Sequence, residues 1–189
     1  MNLPTKLTVL RILLIPVFVA LFFVRFPFHT VAATGVFILA SLTDFLDGYL
    51  ARKYDMVTDL GKFLDPIADK MLVACALFAI VLYGSRWQIG VTVCAMIIIC
   101  RELMVSGFRI VAASKNVKLA ADMLGKIKTV LQMVALILLL PIADIYAHAP
   151  ALLSDILFYA GLVVLALATV MAILSGCNYI VKNRGVLKE

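Results

Sequence analysis

Six long apolar stretches, separated by short polar clusters, limit what this chain can fold into. They cover residues 7–26, 31–50, 66–83, 88–113, 127–145 and 152–181. A helix rises about 1.5 Å per residue, so each stretch is long enough to cross a hydrocarbon layer about 30 Å thick. The pattern therefore predicts an all-α integral membrane protein, built as a bundle of six transmembrane helices.

The apolar excess favours a membrane protein over a large soluble core. Hydrophobic residues make up 65% of the 189-residue chain, whereas a soluble domain of this size is about half apolar. The first stretch contains Arg11 and no convincing small-residue cleavage site, so we expect a retained helix rather than a signal peptide. The connections are short and no linker marks a boundary, so residues 1–189 are predicted to form one membrane-embedded domain.

The basic residues are distributed unevenly between the two sets of connections. They concentrate at the two ends of the chain and after the second and fourth stretches, while the opposite connections hold only Arg25 and Arg86. Cytoplasmic loops of membrane proteins carry the excess of Lys and Arg, so both termini are predicted to be cytoplasmic. The excess of basic residues in cytoplasmic loops explains the net charge of +6. The sequence has no basic run interleaved with aromatic residues, so it does not indicate a nucleic-acid partner.

Aspartates gather between the second and third stretches. Six of the eleven acidic residues lie within residues 44–69. Asp44 and Asp47 are three residues apart, and Asp65 and Asp69 are four apart, so each pair lies on one face of a helix. Two neighbouring helices joined by a short cytoplasmic turn can direct four carboxylates into one gap.

Four carboxylates so close together need positive charge to offset their repulsion. Nearby Arg52, Lys53, Lys62 and Lys70 could supply it as a salt-bridge network. A divalent cation is the favoured alternative, because ionisable residues at membrane depth usually serve a function. Oxygen ligands without His or Cys suit Mg²⁺ or Mn²⁺ rather than zinc. Four carboxylates can hold two such ions, an arrangement that clamps a phosphoryl group during displacement.

Small residues accompany the aspartates at fixed spacings. Residues 44–69, DFLDGYLARKYDMVTDLGKFLDPIAD, follow the pattern D-x2-D-G-x2-A-R-x8-G-x3-D-x3-D. All eight defined positions match the signature of the CDP-alcohol phosphatidyltransferase family, which this chain resembles. The resemblance implies a six-helix membrane enzyme, generally a homodimer. Such enzymes transfer a phosphatidyl group from a CDP-linked lipid to an alcohol and release CMP.

The same resemblance implies roles for the signature residues. Two divalent cations, Mg²⁺ or Mn²⁺, would be bound by the four aspartates, and one aspartate would also be the general base. The nucleotide pocket would be lined by two small residues and an arginine, and one further glycine would allow close approach. The four cation-binding aspartates are Asp44, Asp47, Asp65 and Asp69, and Asp69 is the implied general base. The residues that would line the nucleotide pocket are Gly48, Ala51 and Arg52, and the further glycine is Gly61.

Cations outside the signature indicate the acceptor. Arg101 and Arg109 are eight residues apart on one helix face, and Lys126 and Lys128 follow in the next stretch. Because snorkelling explains Arg101 poorly, Glu102 is expected to partner it or another cation. Several cations at an aqueous cavity predict an acceptor that carries its own phosphate.

Two flanking segments favour glycerol 3-phosphate as that acceptor. Residues 2–16, NLPTKLTVLRILLIP, and residues 101–133, RELMVSGFRIVAASKNVKLAADMLGKIKTVLQM, resemble bacterial family members that use it. The implied reaction converts CDP-diacylglycerol and glycerol 3-phosphate into phosphatidylglycerol phosphate and CMP. The implied location is a bacterial plasma membrane, with the active site facing the cytoplasm.

Two alternatives remain open at this point. Another acceptor, above all inositol phosphate, is compatible with the charge outside the signature; serine and phosphatidylglycerol fit it less well. A small cation transporter would also use membrane aspartates, but it would place them deep in the bilayer and on several helices. Here the four lie at helix ends beside one turn, which favours nucleotide docking.

Overall fold

The computed structural model describes residues 3–53, 59–82, 87–114 and 123–183, without the side chains of residues 3–5, 45–53 and 59–63. Within those ranges the regular structure is α-helical and no β strand occurs. The helices are α1 (Leu3–Phe23), α2 (His29–Lys53), α3 (Asp59–Leu82), α4 (Gln88–Ser114), α5 (Met123–Leu139), α6 (Ile142–His148) and α7 (Ala151–Lys182).

Four described segments are long and apolar enough to cross a membrane. They are Lys6–Phe23, Gln88–Ala112, Met123–His148 and Ala151–Lys182. Large apolar side chains stand on the surface, among them Ile89 at 83% exposure and Leu13 and Leu152. An exposed apolar surface of this extent is typical of a face covered by lipid. The predicted class of all-α membrane protein is thus confirmed, while α2 and α3, which carry the aspartates, are helical but fall outside the four segments.

The membrane span predicted over residues 127–145 lies within Met123–His148, but the helix in that segment is interrupted. Helix α5 ends at Leu139 and α6 begins at Ile142. Pro141 lies between them and has no backbone N–H, and its ring would clash with the preceding turn of a continuing helix. The chain restarts directly, since the N–H of Ile145 donates to the Pro141 carbonyl at 3.1 Å.

The described helices divide into two compact units. One comprises Met1–Ile80 and Leu140–Ser154, and the other comprises Val81–Leu139 and Asp155–Glu189. In the first unit α1 packs along α2. The ring of Phe18 on α1 lies 6.1 Å from that of Phe37 on α2, and Ala33 and Ala40 of α2 are buried. Small side chains at these positions allow the two helices to approach closely.

A carboxylate on α6 fastens that helix to the start of α2. Asp144 Oδ2 accepts hydrogen bonds from the backbone N–H of Thr30 at 2.7 Å, the Thr30 hydroxyl at 2.6 Å and the Val31 N–H at 3.1 Å. The Asp144 carboxylate also lies 3.4 Å from His29 Nδ1. The first N–H groups of a helix have no partner within the helix. Asp144 therefore supplies a cap to α2 from a distant part of the chain.

In the second unit, aromatic and small residues pack α7 against its neighbours. Phe108 of α4 meets Tyr179 of α7 edge to face, with ring centroids 5.9 Å apart. Gly161 of α7 lies against Leu139 of α5, where a Cβ would come within 2.7 Å of a Leu139 methyl carbon. Glycine is therefore required for this close approach of α5 and α7.

Candidate active site

Helix α1 contributes two polar side chains to the aspartate region. Thr8 and Arg11 are three residues apart, which places them on one face of the helix. Both are buried, with 1% and 0% exposure respectively. A fully buried guanidinium within an apolar helix is costly unless it is paired. The side chain that pairs with Arg11 therefore indicates the role of Arg11.

That partner comes from α2. Arg11 Nη1 lies 2.5 Å from Asp44 Oδ1, and the Asp44 side chain still keeps 43% exposure. The hydroxyl of Thr8 donates to Asp65 Oδ1 on α3. The like charges of Asp44 and Asp65 oppose each other electrostatically. Helix α1 thus joins α2 and α3 at the aspartates, and the site is built from three helices instead of the two that the spacing predicted.

The predicted aspartate set is described in part. Asp44 and Asp65 both contact side chains of α1, and Asp69 lies partly buried one turn after Asp65 on α3. The side chain of Asp47 lies outside the described residues. No group of three acidic, His or Cys side chains close enough to hold a metal ion occurs within the described part of the chain. The four-aspartate cation site therefore stays a prediction.

The predicted nucleotide residues are placed by their backbone alone. Gly48, Ala51 and Arg52 follow Asp44 on α2, and Gly61 precedes Asp65 on α3. Their side chains lie outside the described residues, so the predicted nucleotide pocket also stays a prediction. The helical backbone at these positions agrees with the signature spacing, which brings Asp44, Gly48 and Ala51 to successive turns of α2.

A second polar cluster lies within the second unit. Arg101 Nη1 is 3.3 Å from Glu102 Oε1, and Arg101 Nη2 donates to the Ser175 hydroxyl at 2.9 Å. The ammonium group of Lys128 donates to the same Glu102 oxygen. Lys128 has 1% exposure. The expectation that Glu102 partners Arg101 or another cation is confirmed, since Glu102 contacts two cations at once.

Two glycines make room for Arg101. A Cβ at Gly125 would lie 3.2 Å from Arg101 Nη2, and one at Gly176 would lie 3.3 Å from Arg101 Cγ. Contacts that short would require the Arg101 side chain to shift by a few tenths of an ångström. Glu102 and Ser175 thus hold the guanidinium of Arg101, and Gly125 and Gly176 leave space beside its side chain.

The other two predicted acceptor cations are separate from this cluster. Arg109 and Lys126 are exposed, and no ion pair joins either to an acidic side chain among the described residues. Arg101 and Lys128 are therefore the two predicted cations that the structure brings together.

Sequence reasoning missed the roles of Thr8, Arg11 and Ser175. One signal was present, because a cation in an apolar stretch with a hydroxyl three residues earlier is unusual for a lipid-facing helix. The partner of Arg11 was not predictable in the same way. Asp44 is 33 residues away in sequence and Asp65 is 57 residues from Thr8, and helical periodicity does not report which helices meet.

Comparison with known proteins agrees with the family that the aspartate signature predicts. Residues 1–174 match the family model described as CDP-alcohol phosphatidyltransferase. The chain is 36% identical to the CDP-diacylglycerol–glycerol-3-phosphate 3-phosphatidyltransferase of Salmonella typhimurium, over 100% of this chain and 98% of that protein. It is 39% identical to the enzyme of the same name from Bacillus subtilis, over 99% and 97% of the two chains. The Rickettsia bellii enzyme of that name is 38% identical over 94% and 93%.

Proposed function

Because the chain belongs to the CDP-alcohol phosphatidyltransferase family, we propose that it transfers the phosphatidyl group of CDP-diacylglycerol to glycerol 3-phosphate. The products are phosphatidylglycerol phosphate and CMP. The observation that carries this proposal is the similarity, over almost the full length, to enzymes named for that reaction. The similarity extends over 100% and 99% of this chain, and those enzymes are named for glycerol 3-phosphate as acceptor, so it bears on the acceptor and not only on the reaction type.

The reaction forms one phosphorus–oxygen bond and breaks another. The 1-hydroxyl oxygen of glycerol 3-phosphate attacks the phosphorus that bears the diacylglycerol. The bond from that phosphorus to the CMP oxygen breaks, and CMP leaves with the bonding electrons. The hydroxyl proton must be taken up, and a carboxylate at Asp69 is the proposed acceptor. Asp69 is partly buried on α3, one turn from Asp65.

Divalent cations, Mg²⁺ or Mn²⁺, are proposed to bind at Asp44, Asp47, Asp65 and Asp69. The donor chemistry fits, because carboxylate oxygens are the ligands that these ions prefer. Asp44 also keeps 43% exposure beside its contact to Arg11, so its carboxylate remains accessible to a ligand. Two bound ions would make the phosphorus more electrophilic and neutralise the charge on the departing CMP.

Four residues of the signature are proposed to bind the nucleotide part of the lipid. Gly48, Ala51 and Arg52 would line the cytidine diphosphate pocket, and Gly61 would allow the nucleotide to approach the backbone of α3. Arg52 is suited to the diphosphate, since a guanidinium can donate two parallel hydrogen bonds to phosphate oxygens.

Arg101, Arg109, Lys126 and Lys128 are proposed to bind the phosphate of the acceptor. The support is strongest for Arg101 and Lys128, which both contact Glu102. Together these three side chains carry one net positive charge. The shared carboxylate holds buried Lys128 and partly buried Arg101 near each other without cancelling both charges, which suits the binding of a dianionic phosphate. Arg109 and Lys126 rest on charge and similarity alone.

The proposed membrane arrangement follows from the distribution of charge. We place six transmembrane passes at α1, α2, α3, α4, the interrupted pair α5 and α6, and α7. Both termini and the aspartates would face the cytoplasm, because the basic residues concentrate on that side. The proposed location is a bacterial plasma membrane, and the proposed assembly is a homodimer.

A panel of labelled acceptors tests the proposed substrate. Purified protein is supplied with CDP-diacylglycerol, Mg²⁺ or Mn²⁺ and one of glycerol 3-phosphate, inositol phosphate or serine. Transfer of label into lipid with glycerol 3-phosphate alone is the expected result. Failure with glycerol 3-phosphate and success with inositol phosphate would overturn the acceptor while keeping the reaction type.

A further inference from the structure

Arg11 is a buried cation that the reaction described above does not use. It lies on α1, outside the eight-residue signature, and its side chain has 0% exposure. Its Nη1 is 2.5 Å from Asp44 Oδ1, on one of the aspartates proposed to hold cations. Thr8, one turn earlier and 1% exposed, donates to Asp65. A single face of α1 thus contacts aspartates on two other helices.

We infer that Arg11 is the protein's own counter-cation for the aspartate site. This inference rests on the proposed function, since it assumes that divalent cations bind at the aspartates. Arg11 offsets the repulsion between Asp44 and Asp65 and holds Asp44 by one oxygen. Thr8 fixes Asp65 without adding charge. Together they hold α2 and α3 in register before a cation arrives.

Burial and charge determine what removal of Arg11 does. Removing one partner of a buried ion pair is strongly destabilising, because the charge of the other partner is left uncompensated. Without Arg11, Asp44 and Asp65 would repel each other and the cation-free protein would lose stability. A divalent cation would then supply the missing compensation. It would also bind more tightly, because a positive charge that repels it has gone.

The experiment compares the thermal unfolding midpoint, Tm, in detergent without substrates, in EDTA and across a Mn²⁺ titration. Arg11→Gln removes the charge and Arg11→Lys keeps it. Arg25→Gln is the matched control, because Arg25 lies exposed beyond the other end of α1. A ligand that binds the folded state raises Tm, so the titration reports cation binding without turnover.

Arg11→Gln is expected to lower Tm in EDTA and to show a larger Mn²⁺-induced rise than the wild type. Its half-effect concentration of Mn²⁺ should be lower, by roughly fivefold for the loss of one nearby unit charge. Arg11→Lys and Arg25→Gln should both keep the wild-type rise. A drop in Tm that is equal with and without Mn²⁺, or weaker Mn²⁺ binding in Arg11→Gln, would overturn the inference.

A double variant covers the case in which Arg11→Gln yields no folded protein. Arg11→Gln combined with Asp44→Asn removes both charges and leaves neither partner uncompensated. Recovery of the double variant where the single one is lost would support the inference, and a double variant as unstable as the single would contradict it. Absence of any Mn²⁺ effect in the wild type would overturn the proposed cation site and this inference together. An equal effect in wild type and Arg11→Gln would overturn the inference alone.

Discussion

Buried charges in the two units are compensated in different ways. In the first unit Arg11 contacts Asp44, whose side chain remains 43% exposed. In the second unit Glu102 serves both Arg101 and Lys128. The first arrangement leaves acidic groups in excess and favours binding of cations. The second leaves cations in excess and favours binding of an anion.

Asp69→Asn tests the proposed base. The amide cannot take up the acceptor proton, so kcat is expected to fall by about 10²- to 10⁴-fold. The helix should survive, because Asn is close in size and Asp69 is only partly buried. The measurement is CMP release together with Tm, and Asp155→Asn, at an exposed position on α7, is the control. Near-normal turnover in Asp69→Asn would remove Asp69 as the base.

Lys128→Met tests the acceptor cluster. The change removes one positive charge and leaves Arg101 paired with Glu102, so KM for glycerol 3-phosphate is expected to rise by about tenfold or more. Lys126→Met should have a smaller effect, because Lys126 is exposed and apart from the cluster. Lys182→Met, at an exposed position near the end of α7, is the control. A larger effect at Lys126 than at Lys128 would contradict the assignment.

The sequence pattern predicts which segments form helices better than it predicts which helices pack against each other. The long apolar stretches correctly predicted helices at α1, α2, α3, α4 and α7. The break at Pro141 was missed although proline was visible, since the apolar pattern continues across it. The contribution of α1 to the aspartate site was also missed, because the contact of Arg11 with Asp44 depends on tertiary packing.

The link between α6 and α2 gives a prediction about stability. Asp144→Ala removes three hydrogen bonds to the first turn of α2 and leaves two backbone N–H groups without that partner. The expected loss is about 2 kcal/mol of unfolding free energy. Unfolding in detergent with increasing SDS measures it, with Lys182→Ala, at an exposed position on α7, as the control. Equal stability of Asp144→Ala and wild type would show that α6 does not cap α2.

At the scale of the whole molecule, the family and the membrane class were accessible from the sequence. The eight-residue signature within residues 44–69 predicted the family, and the family model confirms it. The apolar stretches predicted the membrane class, and four segments of sufficient length confirm it. Orientation and homodimer formation stay predictions, because they depend on the membrane and on a second chain.

Cation-dependent release of CMP distinguishes phosphatidyl transfer from cation transport. Purified wild-type protein receives CDP-diacylglycerol and glycerol 3-phosphate, with Mg²⁺ or Mn²⁺ in one arm and EDTA in the other. We expect one CMP released for each phosphatidylglycerol phosphate formed, with activity lost in EDTA and restored by the cation. Protein that moves cations across a vesicle membrane but releases no CMP would contradict phosphatidyl transfer and support a transporter.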